Sequence, residues 1–219
     1  MLIFTKKELA GVNNTGTTSA SALSARIHRR IANKELLVLK KGLYLPSYVY
    51  LNEPDKITLT EFISSQMCPS YLSLDYILHK NHLLLKSSDT ITAISTRSNR
   101  VFKNFLGTFR YRNLKELFYF GFERGSFHCH NYYFATKAKA LFDYFYLNSS
   151  LAYRNKKKLR GQLLEESEIQ WAYFSAEDFQ QFDKYVWQSN SKKMMRILYV
   201  LQEYFQNKNF NVWAKSLLS

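Results

Sequence analysis

The stretch LLVLKKGLYLP, Leu36 to Pro46, decides how the front of this chain is read. Two short apolar runs flank Lys40, Lys41 and Gly42, and a glycine between such runs signals a β-hairpin, because a tight turn requires a backbone conformation that only glycine adopts freely. Two lysines at the tip make that turn cationic.

Immediately upstream, the segment from about Thr17 or Thr18 to Asn33 has the spacing of an amphipathic helix with a hydroxyl cap. Ala20, Leu23, Ile27 and Ile31 share one face, while Thr18, Ser21, Ala22, Ala25, Arg26 and Arg29 share the other. The second face is small, polar and cationic. Short side chains allow close approach to a surface, hydroxyls and arginines donate to phosphates, and an arginine can bond a guanine edge in bidentate fashion. No acid lies between Glu8 and Glu35, whereas a merely solvated helix mixes both charge signs.

Further upstream, Thr5 and Glu8 stand three residues apart, the spacing of a capping box, and predict a short helix over 6–11 followed by an Asn-Asn-Thr-Gly turn. Helix, turn, longer basic helix and basic hairpin together predict a winged helix-turn-helix over 1–48, with the second helix in a major groove and Lys40 and Lys41 on backbone phosphate. A helix at 57–66, bearing Leu59, Phe62 and Ile63 on one face, is expected to cover the core of that unit.

Composition agrees with an anionic partner. The 219-residue chain has a formal net charge of +14, and residues 1–48 hold eight Lys and Arg against two acids. With 46% hydrophobic residues it can build a packed core. Only Cys68 and Cys129 are present, so no disulfide framework is indicated. No run approaches the ~20 apolar residues that span a bilayer, which gives the expectation of a cytoplasmic protein without a membrane partner.

Residues 49–219 read as a mixed α/β domain with a helical C-terminal end, making the whole chain α+β. ITLTEFISSQ (57–66), LSLDYILHK (72–80) and TKAKALFDYFYL (136–147) have helical periodicity. TITAIST, TFRYRNL, LFYFGF and FHCHNYYF (127–134) read as strands, and the last two long segments, SAEDFQQFDKYVWQ and SKKMMRILYVLQEYFQ, as helices.

RNKKKLR supplies Arg154, Lys156, Lys157, Lys158 and Arg160, a second candidate for phosphate contact or else a solvated loop. Lys192, Lys193 and Arg196 sit at a helix start, where cations oppose the helix dipole and an external anion would compensate. Phe109, Tyr111, Phe118 and Phe120 offer either core rings or stacking platforms for single-stranded bases or a partner protein.

Catalytic chemistry finds no support. Pro54-Asp55 lacks the Glu-x-Lys that would complete a metal-dependent nuclease, and no phosphate-cradling glycine loop or Gly-x-Ser-x-Gly elbow is present. His79, His82, Cys68 and His128-Cys129-His130 lack paired zinc-ligand spacing, so no metal, cofactor or catalytic residue is assigned.

Several stretches occur in an order known from one family: KKGLYLP; PSYLSLDYIL (Pro69 to Leu78); ITAISTRSNRVF; GTFRYRNLKELFYFG (Gly107 to Gly121); and ATKAKALFDYFYL (Ala135 to Leu147). From Phe4 to Leu147 the chain thereby resembles the AbiEi-type antitoxins of bacterial type IV toxin-antitoxin systems. It departs from that pattern at Lys137-Ala138, where the family has proline-glutamate, and at Asn81-His82, where it has histidine-glycine. The resemblance implies an N-terminal winged helix that represses its own operon on inverted-repeat operator DNA. It also implies a C-terminal antitoxin domain that counters an AbiEii-type nucleotidyltransferase toxin without requiring direct contact.

Overall fold

A computed structural model of the chain describes residues 2–11, 19–86 and 89–207. The fold is mixed α+β, with two sheets and a helical C-terminal part. Strand β1 (Phe4–Thr5) leads directly into helix α1 (Lys6–Gly11). The expected capping box forms: the Thr5 amide donates to Glu8 Oε2 at 2.6 Å and the Glu8 amide donates to Thr5 Oγ1 at 3.3 Å. Helix α2 (Ala20–Ala32) takes its hydroxyl cap from Ser19, which accepts from the Ala22 amide at 3.2 Å. Thr17 and Thr18, the expected caps, lie outside the described residues.

The hairpin is present as β2 (Leu36–Lys40) and β3 (Leu43–Pro46), with Gly42 at φ +79° in the turn. Strand β1 adds on the far side of β3, giving a three-stranded sheet in the order β1-β3-β2. Its side chains divide between two cores. Leu36 joins Leu9, Leu23 and Ile27 beneath α2, whereas Leu39, Leu43 and Leu45 join the large core of the following residues.

That large core surrounds a six-stranded sheet in the order β6-β7-β5-β4-β9-β8. Its strands are β4 (Tyr71–Leu72), β5 (Thr90–Ser95), β6 (Arg100–Asn104), β7 (Gly107–Asn113), β8 (Phe122–Phe127) and β9 (His130–Ala135). The pairs β4 with β9 and β5 with β7 are parallel and the others antiparallel. After the short α3 (Ser47–Asn52), helix α4 (Lys56–Met67) covers one face, where Tyr111 donates its hydroxyl to the Ser64 carbonyl at 2.8 Å. Helices α5 (Asp75–Lys80) and α6 (Lys137–Leu147) lie on the face that carries Tyr71. Helices α7 (Lys156–Leu164), α8 (Ala176–Ser189) and α9 (Lys192–Asn207) then pack outside α6, burying Phe145, Trp171, Phe182, Ile197 and Leu201 among one another.

Some sequence expectations change. The helix at 57–66 forms as α4 but covers β4, β5, β8 and β9 rather than the small N-terminal core. LSLDYILHK is extended at Leu72 and helical only from Asp75, because Leu74 at φ +60° breaks the chain direction between them. LFYFGF is a 3₁₀ turn over Glu116–Phe118 with a strand beginning only at Phe122, since Phe118 turns into the core and Gly121 sits at φ +71°. FHCHNYYF is two strands, not one: His128, at φ +51°, and Cys129 form the turn between β8 and β9. Strand β6, too polar to stand out, was not expected. RNKKKLR opens helix α7, where Asn155 accepts from the Lys158 amide at 3.0 Å.

One buried carboxylate holds α4 to both neighbours. Glu61, 1% exposed, accepts from Tyr76 at 2.7 Å, Lys80 at 2.5 Å and Tyr132 at 2.8 Å, so its charge and lone pairs are compensated. Burial, followed by the adjacent Glu61 charge, holds the Tyr76 hydroxyl well above its ordinary range.

Candidate nucleic-acid interface

The outward face of α2 carries the residues that the helical spacing selected. Ser21, Ala22, Ala25 and Arg29 are exposed and Arg26 is half-buried, opposite the buried Leu23 and Ile27. Thr18, also selected, lies outside the described residues. The inner side and the flanks of the helix carry anchoring contacts. Lys6 donates to Ser24 Oγ at 2.9 Å, Arg30 pairs with Glu35 at 3.1 Å, and Ser19 and Ser21 hydroxyls lie 3.0 Å apart. Arg29 thus stands on a face of short side chains, which lets a flat or grooved anion approach the backbone closely.

The two lysines of the turn separate. Lys41 is exposed at the tip. Lys40 instead reaches the Met67 carbonyl at the end of α4, with its ammonium 5.5 Å from the Phe102 ring centroid. Burial first, then the nearby Arg100 and Arg97, pull its pKa below the usual lysine range. Asn104 on β6 completes the contact by donating to the Leu39 carbonyl at 3.0 Å. Lys40 therefore ties the hairpin to the main body, and Lys41 is the lysine that points outward.

The second basic cluster also sorts by geometry. Lys157, Lys158 and Arg160 are exposed on α7, Lys156 pairs with Glu203 of α9 at 2.5 Å, and the Arg154 guanidinium lies 5.8 Å from the Tyr153 ring. Two of the three cations at the start of α9 have internal partners, while Lys192 is exposed: Lys193 donates to the Tyr146 carbonyl at 3.1 Å and to that of Asn148, at the C-terminal end of α6, and Arg196 donates to the Tyr153 carbonyl at 3.1 Å. The dipole that Lys193 opposes in its own helix is offset by the one it complements in α6. Tyr199 was missed. It stands three residues beyond Arg196 on the outer face of α9, and only the folding of α9 against α7 brings both beside Arg154.

The four rings that the sequence singles out serve the core. Phe109, Tyr111 and Phe118 are buried and Phe120 packs against Phe142 and Tyr185. The histidines and cysteines are dispersed in role: His79 Nδ1 lies 3.0 Å from the Leu84 carbonyl, His128 pairs with Glu53 at 2.8 Å, His130 stacks on Phe62, and Cys68 is buried. Among the described residues no three His, Cys, Asp or Glu side chains gather as a cation site. Nor, among them, is any helix long and apolar enough to cross a membrane.

Two stretches that carry the family resemblance meet in space. Tyr71 and Ser73, from PSYLSL, donate their hydroxyls to Asp143 of KALFD at 2.9 and 2.8 Å. No protein-family model and no curated protein sequence matches the chain.

Proposed function

We propose that this protein is a DNA-binding antitoxin of a bacterial type IV toxin-antitoxin system, which represses its own operon and counters a nucleotidyltransferase-like toxin. In this reading 1–48 is a winged helix-turn-helix, α2 enters the major groove, and the hairpin is its wing. Arg29, with Arg26 beside it, reads base edges; Ser21, Ala22 and Ala25 permit the approach; Lys41 contacts backbone phosphate. The observation that carries the DNA-binding half is the acid-free outer face of α2, cationic and small, together with the exposed Lys41 of the hairpin turn. The antitoxin half rests on the ordered motifs from Phe4 to Leu147.

Gel-shift titration against the chain's own promoter region tests the first half. Arg29→Ala weakens operator binding by about 1–3 kcal/mol if it reads a base, and leaves random duplex less affected. Specific binding unchanged by Arg26→Ala, Arg29→Ala and Lys41→Ala together overturns the assignment. Co-expression with the toxin of the same operon tests the second half: growth must be restored by this protein and also by its Arg29→Ala variant.

A further inference from the structure

Helices α7 and α9 enclose a cleft of about 490 Å³ that the proposed operator contact does not use. Tyr153, Arg154, Lys156, Arg196, Tyr199 and Glu203 are among its lining residues. Lys156 and Glu203 neutralise each other at 2.5 Å. The Arg154 and Arg196 guanidinium groups lie 5.8 and 6.0 Å from the same Tyr153 ring, and Arg196 donates to the Tyr153 carbonyl. A guanidinium has five N–H donors, so most of those of Arg196 remain for a ligand.

Tyr199 supplies the exposed ring of the cleft. It is 52% exposed on a helix whose buried side is otherwise filled by Met194, Ile197, Leu198 and Leu201, so its ring is not needed by the core. The cleft therefore combines a flat aromatic surface with two planar guanidinium groups, each able to bond two oxygens of a phosphate. Its volume lies in the range of small-ligand sites. A bare phosphate leaves the rings unused, and so does an acidic peptide without aromatic side chains. A ligand with both a phosphate and an aromatic plane uses the whole cleft.

We propose that the α7–α9 cleft binds a nucleotide, with its phosphate on Arg154 and Arg196 and its base stacked on Tyr199. The nucleotide is either free or part of a single strand. Lys157, Lys158 and Arg160 continue the positive surface along α7 for further phosphates of a strand.

The test uses the full chain and a fluorescein-labelled eight-nucleotide single-stranded RNA, read by anisotropy. Tyr199→Leu weakens binding about tenfold while Tyr199→Phe retains it, as expected for loss of one stacked base. Arg196→Gln weakens binding and lowers the salt slope by about 0.7, the single-strand value for one phosphate. Arg29→Ala and Lys41→Ala leave this binding unchanged, which separates it from the proposed operator contact. Competition by a 5′-mononucleotide at submillimolar concentration assigns the site to a free nucleotide, and competition only by longer oligomers assigns it to a strand. The proposal is overturned if the oligomer does not bind, if Tyr199→Leu has no effect, or if duplex DNA or polyglutamate competes as well as single-stranded RNA. Unchanged far-ultraviolet circular dichroism shows that the variants are folded.

Discussion

Lys139 and Asp143, one turn apart on α6, form an ion pair in which neither side chain has any solvent exposure. The Asp143 carboxylate also accepts from Tyr71 and Ser73, and the Lys139 ammonium lies 4.9 to 5.5 Å from the Phe120, Phe142 and Tyr71 ring centroids. Burial pushes the Asp143 carboxyl up and the Lys139 ammonium down, and their pairing opposes both shifts. The cluster fastens α6 to β4 and to Ser73 just beyond it.

Removing half of that pair leaves an uncompensated buried charge. Asp143→Ala is expected to cost about 3–5 kcal/mol in urea unfolding. Lys139→Met combined with Asp143→Leu removes both charges, and should recover part of the loss even though Tyr71 and Ser73 keep unsatisfied hydroxyls. A double variant no more stable than Asp143→Ala argues that the hydroxyl bonds, not the pair, dominate.

The two lysines of the hairpin turn should behave differently. Lys41→Ala is expected to weaken every duplex alike and reduce the salt slope by about 0.9 for one lost phosphate contact. Lys40→Met should leave that slope nearly intact but lower the unfolding midpoint, because its ammonium bonds the Met67 carbonyl inside the protein. Matching salt slopes for the two variants would contradict this division.

Leu45 is fully buried in the large core although it belongs to the hairpin. Leu45→Ala should cost about 2–5 kcal/mol. All three tryptophans, Trp171, Trp187 and Trp213, belong to the C-terminal fifty residues of the sequence, so tryptophan fluorescence reports on a part of the chain remote in sequence from the substitution. A midpoint shift in that signal means that hairpin and main body unfold together; an unchanged midpoint means that they do not. Arg29→Ala, on an exposed face, serves as the control.

Burial raises the Asp75 carboxyl above its ordinary range, against the lowering effect of Arg110 and Arg112. A carboxyl whose folded pKa exceeds the unfolded one binds its proton more tightly in the native state. Its favourable contribution is present below the unfolded value, near pH 4, and is lost as pH rises through the folded value. Asp75→Asn should therefore melt above the parent protein at pH 7, with the difference shrinking as pH falls toward 4. Thermal melts at both pH values check this, and a difference that grows on acidification sinks it.

The N-terminal elements were legible because their signals are local. The Thr5 and Glu8 capping box, the apolar stripe of α2 and the glycine of the hairpin each act within a few residues; the box and the hairpin form where expected, and the stripe buries Leu23 and Ile27 and half-buries Ile31, while Ala20, in the first turn, is exposed. The long C-terminal helices were legible for the same reason, since one amphipathic period repeats over several turns. Less legible were the short aromatic stretches. In LFYFGF and FHCHNYYF, composition favours strands throughout, but Gly121 and His128 at positive φ turn the chain where the core requires it.

By itself the sequence determined the sign of the protein's charge, the mixed α+β class and the small cationic face of α2, because charge, periodicity and capping are properties of neighbouring residues. Tertiary structure alone decided which cations face outward. Lys40 and Lys41 are adjacent in sequence, yet one lies against Met67 and Phe102 and the other against solvent. Arg154 and Tyr199 are remote in sequence, yet they line one cleft. Such partnerships depend on how helices and sheets stack, and residue spacing along the chain carries no record of that.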